Sequence, residues 1–321
     1  MSILLDPPTL TRRTTPGKTA FWGMLALLVF FLLNVLAWGP LVARGLDVEE
    51  GWWHRAVLSP GPDVIFNRLQ VLGVILAAPL FLKKMGWSGL RDVGWRSGQT
   101  RGERKKDFLV WMMAGFAAIL LSGVIYRFTA PDGWSQGDGP GWLHWIFVDA
   151  LFRGLVVIIL LETAARGVLF RTLQSVWTPW TATLSVSILL AWCKVSSLQP
   201  HPFQSGFGAL AGSLLSSPFQ DGDTFLLFLC HLVVGLVLCR LVFHKGDIWA
   251  AVGLHASFTM GFSFLTSYFM NAEAVPDLIL RDGFSRFAWK QPWVLVGLLG
   301  FWGWMEWVNR KKLTSYGTVR L

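Results

Sequence analysis

Charge is scarce in this chain. Of its 321 residues only 15% are Asp, Glu, Lys or Arg, where a soluble domain carries about 25%. The shortage runs the whole length and excludes a soluble enzyme, a disordered chain and a fibrous repeat. Tyrosine is scarce too, with three residues against 19 Trp and 24 Phe. Cysteine is limited to Cys193, Cys230 and Cys239, all in apolar runs. No CxxC or Cys/His ligand spacing accompanies them, so they read as buried free thiols and no metal site is expected. Acidic residues are the scarcer sign, 19 against 28 basic ones, which leaves a net charge of +9.

What is present is apolar: 53% of the residues are hydrophobic. A helix needs roughly 20 apolar residues to cross a bilayer. Eight runs qualify: 20–42, 64–82, 108–126, 147–173, 180–198, 224–243, 248–270 and 293–308. The fold expected is an all-α integral membrane protein, a helical bundle of about eight spans in one polytopic domain, 20–308, with tails at 1–19 and 309–321. The first run is too long for the apolar core of a signal peptide and reads as an uncleaved span.

The basic residues orient the bundle. Arg12, Arg13 and Lys18 precede the first span, and eight Lys or Arg lie between Lys83 and Lys106. Arg166 and Arg171 end the fourth span, Arg240 and Lys245 end the sixth, and Arg310, Lys311, Lys312 and Arg320 follow the eighth. All fall on one side. Both termini are therefore expected in the cytoplasm, in a multi-pass protein of the inner membrane. The positive excess reports topology and contact with the lipid bilayer rather than nucleic acid. Within the basic loop, residues 89–96 read as a short amphipathic element lying on the membrane. Many tryptophans sit near span ends, as interfacial belts require. The remainder hints at a membrane-protein partner or a bound lipid or tetrapyrrole.

Ionisable residues inside spans are costly and mark functional sites. Here they are Glu162, Arg166, Lys194, His231 and His255. Glu162 and Arg166 are one turn apart and form a natural ion pair. Thr259 is one turn on from His255 and faces the same way. Lys194, late in its span, either snorkels to the headgroups or pairs with an acid on the fourth span. His231 opens the sixth span and reads as interfacial.

Three segments carry a family pattern. Leu161-Glu162-Thr163-Ala164-Ala165-Arg166-Gly167 follows Glu-Glu-x-x-x-Arg-Gly at its second Glu, its Arg and its Gly. Leu190-Ala191-Trp192-Cys193-Lys194 stands at the distance of a Phe-x-x-x-His motif and keeps neither end. Gly246-Asp247-Ile248-Trp249 leads to His255, where the third motif, His-x-x-x-Asn, has Thr259 for Asn. Over about residues 154–264 the chain resembles the CPBP family of CAAX proteases and bacteriocin-processing intramembrane proteases. The resemblance implies a cavity among the helices, facing the cytoplasm. There a Glu and a His would activate water, and a second His and an Asn would hold the oxyanion. Substrates implied are prenylated C-terminal peptides and leader-bearing peptides.

Carried over residue by residue, the water-activating Glu falls on Leu161, its His partner on Lys194 and the oxyanion Asn on Thr259. His255 alone survives. Glu162 points about 100° from Leu161 on a helix and has Arg166 as a competing partner. The expectation is a pseudoprotease acting as a scaffold, chaperone or complex subunit. An active endopeptidase using Glu162, Arg166, Lys194, His255 and Thr259 is the first alternative. A lipid- or pigment-binding protein with His255 or His231 as axial ligand is the second. A Lys194–Glu162 contact is expected to close the old cavity.

Overall fold

The computed structural model describes residues 93–95, 99–129, 154–174, 177–196, 216–269 and 292–315. Among these residues the secondary structure is all helical. The expected spans at 20–42 and 64–82 lie outside the described residues. Over their described residues, the other six expected spans coincide with helical segments. They are α1 (Arg101–Thr129), then α2 (Ile158–Glu162) continued by a π-helical segment (Thr163–Phe170) and α3 (Arg171–Gln174). There follow α4 (Pro179–Ser196), α5 (Gly222–Lys245), α6 (Trp249–Phe269) and α7 (Pro292–Ser315).

Local chemistry sets the ends. Thr100 and Glu103 form a reciprocal capping box before α1: the Thr100 N–H donates to Glu103 Oε2 at 2.7 Å and the Glu103 N–H to Thr100 Oγ1 at 3.3 Å. The helix thus begins seven residues before the apolar run does. Thr178 caps α4 ahead of Pro179, and Asp221 caps α5 through the Thr224 N–H at 2.6 Å. Gly246 ends α5 in the left-handed region, φ 75°, with its N–H on Val242 O. Asp247 then accepts from the Trp249 N–H at 3.1 Å, so one helix stops and the next starts within three residues.

Among the described residues two helices, Arg101–Ile125 and Gly222–Lys245, are long and apolar enough to cross a bilayer, and they sit differently. The apolar stretch of α5 is 72% buried, that of α1 only 22%. Helix α5 is the central one, with Val233, Val237, Leu238 and Leu241 buried on its several faces. Helix α1 is peripheral and exposes Leu109, Met113, Leu121 and Phe128. In lipid such faces cost nothing, and helices associate instead through close backbone approach at small residues. The α1–α6 contact is of that kind. A Cβ on Gly115 would collide with Ser257, and one on Gly253 with the Phe108 carbonyl.

Three sequence expectations change. Residues 93–95 do not lie on a membrane surface: Val93 is 7% exposed and Gly94 is buried, both packed into the bundle end. Several positives counted for topology are internal, since Arg166, Arg171 and Arg240 are all buried. Arg171 donates to Gly246 O at 2.6 Å, and Lys245 pairs with Asp107 at 2.7 Å. Cys193 is exposed rather than buried, whereas Cys230 and Cys239 are buried as expected. Part of the tryptophan excess is absorbed inside the protein, with Trp111 packed edge-on to Phe301 and Trp95 to Trp249.

Candidate functional site

The site is assembled from α2, the π-helical segment and α6. Glu162 is the last residue of α2 and its side chain is fully buried. Its Oε1 accepts from Arg166 Nη1 at 2.8 Å and contacts His255 Nδ1 at 2.7 Å. Its Oε2 is buried without a hydrogen-bond partner, as is Arg166 Nε. The π-helix begins directly after Glu162. Such wide turns are rare and cluster at functional sites.

His255 sits in the second turn of α6 with its side chain 26% exposed. With Nδ1 held against Glu162, its Nε2 is turned away from the buried carboxylate. Thr259 lies one turn on, but its hydroxyl donates back to His255 O at 3.2 Å. Back-bonding of this kind is the ordinary behaviour of a helical Thr. Cys239, on α5, is fully buried in the core beside these elements.

Lys194 does not join this group. It is exposed on α4. Among the described residues the ion-pair partners of Glu162 are Arg166 and His255, so the expected Lys194–Glu162 closure is not formed. The two side chains differ in burial: Glu162 is fully buried, whereas Lys194 is exposed. His231 is not at the helix end. It lies well inside α5, half-buried, with Nδ1 2.9 Å from Leu227 O and within electrostatic reach of both Lys194 and His255.

Two groups escape a linear reading. Trp95 Nε1 donates to Thr163 Oγ1 at 2.8 Å, beside Glu162. Its own carbonyl accepts from Trp249 Nε1 at 3.0 Å and Arg104 Nη1 at 3.2 Å. The second group is a buried clamp between α5 and α7. Arg240 binds Glu306 in a fork, Nε–Oε1 at 2.6 Å and Nη2–Oε2 at 3.1 Å, with its guanidinium 4.3 Å over the Trp180 ring. His244 Nε2 adds a 3.3 Å contact to Glu306. A lone carboxylate in the apolar run 293–308 was the signal for it.

Residues 142–261 match the family model of type II CAAX prenyl endopeptidase Rce1-like proteins. The resemblance read from the three motif segments is borne out, and the matched segment carries Glu162, Lys194, His255 and Thr259. Together with the apolar helices, this marks the chain as a membrane protein. No curated protein matches the chain.

Proposed function

We propose that this is a CAAX-protease-type membrane protein that has lost peptide-bond hydrolysis and serves as a non-catalytic scaffold, chaperone or subunit of a membrane complex. The observation that carries the reading is the state of Glu162. A general base must reach the proton it takes, directly or through one water. Glu162 is fully buried, and its Oε1 is occupied by Arg166 and His255 together. The preceding position, where the family's first Glu falls, is Leu161, which has no proton-accepting group. Lys194 stands away from the pair, and the Thr259 hydroxyl is spent on its own helix.

The test is hydrolysis of prenylated C-terminal peptides and leader-bearing peptides by the purified full chain in lipid vesicles, read by mass spectrometry. No product above that of His255→Ala is expected. Turnover that disappears in Glu162→Gln and His255→Ala would establish the opposite.

One observation favours an active endopeptidase as the second reading. The Glu162–His255 contact at 2.7 Å would fix the imidazole tautomer and leave Nε2 as a base. The same assay separates the two. The Nδ1 contacts of His255 and His231 would equally suit an axial ligand of a tetrapyrrole, and an absorption spectrum of the purified protein checks that expectation. The topology that goes with the proposal has eight spans, with both termini in the cytoplasm of an inner-membrane protein. Reporter fusions at the termini and in the loops test it.

A further inference from the structure

The two halves of the polar site sit on different elements, Glu162 at the start of the π-helical segment and His255 on α6. Both elements are tied at the same end of the bundle to one short stretch, residues 93–95. Trp95 donates from its indole to Thr163, the residue after Glu162. It accepts at its carbonyl from Trp249, the first residue of α6, and the two rings meet edge-on at 5.7 Å. The Gly94 carbonyl accepts from the Ile248 N–H at 3.1 Å.

The fit along the π-helical segment is close. A Cβ at Gly167 would collide with the Val93 carbonyl, so the glycine that follows the motif Arg is what lets the strap seat. Gly94 turns the strap at φ 77°, and a Cβ there would lie 2.9 Å from Arg171 Nη2. Thr163, Gly167 and Arg171 recur every four residues, so the strap runs along one face of the helix. Thr163 also donates its hydroxyl to Ile159 O at 2.7 Å, a carbonyl that accepts the Thr163 N–H as well. The indole therefore grips the residue at which the α-helix widens into the π-helix.

We propose that residues 93–95 form a conformational latch in which Trp95, held between Thr163 and Trp249, sets the approach of Glu162 to His255 and closes this end of the polar site. Release of the latch lets the π-helical segment relax, parts the Glu162–His255 contact and opens the site at the end where α1 and α6 begin. The latch is independent of whether the site hydrolyses anything.

The test compares the purified full chain with Trp95→Phe, Thr163→Val, their combination and Thr163→Ser. Phe keeps the ring and removes only the Nε1 donor, Val removes the acceptor from the other side, and Ser restores the hydroxyl. Two readouts apply: amide hydrogen exchange across 163–170, and modification of His255 by diethyl pyrocarbonate. Trp95→Phe and Thr163→Val should each raise both by about fivefold, the scale of one lost hydrogen bond. The double variant should add nothing to either single one, and Thr163→Ser should match the parent. Changes confined to residues 93–95, or effects of the two substitutions that simply add, would overturn the latch.

Discussion

Glu162 and His255 are 93 residues apart in the chain and in direct contact, Oε1 to Nδ1 at 2.7 Å. The same oxygen takes the Arg166 guanidinium. One carboxylate thus joins α2, the π-helical segment and α6. In the proposed reading this contact leaves Glu162 Oε1 occupied rather than ready to activate water.

The first consequence is energetic. Removing one member of a buried ion pair leaves the other uncompensated and costs about 3–5 kcal/mol. Arg166→Leu should lower the thermal midpoint of the purified protein accordingly. Adding Glu162→Gln to it should restore part of the loss, because no charge is then stranded. A double variant no better than Arg166→Leu alone would show that the pair is not coupled.

A second prediction contrasts two glycines. Gly167→Ala places a methyl against the Val93 carbonyl and should cost about 1–3 kcal/mol, the range for overpacking. Gly297→Ala, on α7, meets nothing within 4 Å and should leave the midpoint unchanged or higher. Equal effects at the two positions, measured by thermal denaturation in detergent, would mean that the strap is not seated on the helix.

The third concerns the α5–α7 clamp. Arg240 engages Glu306 with two nitrogens and stacks on Trp180, a geometry that Lys cannot reproduce. Arg240→Lys should therefore destabilise nearly as much as Arg240→Met, and hydrogen exchange should rise along α7. Full rescue by Lys would reduce the clamp to a simple charge contact.

The helical frame was largely legible in the sequence, because apolar run length is what a bilayer selects. Six expected spans coincide with helical segments over the residues described. Their ends were less legible from hydropathy, which sees no helix in Arg101–Asp107. The Thr100/Glu103 capping box does announce it. The motif spacing led correctly to the CAAX-protease type. Contacts between distant segments were not legible. Residues 89–96 are basic and amphipathic, which suits a membrane surface equally well, and only the small Gly167 on another element shows why residues 93–95 turn inward. Charge alone pairs Lys194 with Glu162, whereas Lys194 is exposed and Glu162 is fully buried. Glu306 was passed over because a terminal span position normally lets an acid reach water, and here Arg240 takes it first.

In the proposed function Glu162 is committed to Arg166 and His255 and does not serve as a hydrolytic base. The most direct measurement is single-turnover cleavage of a prenylated C-terminal peptide by the vesicle-reconstituted chain, run beside Glu162→Gln and His255→Ala. The same background product is expected in all three. Product formed by the parent and lost in both variants would contradict it.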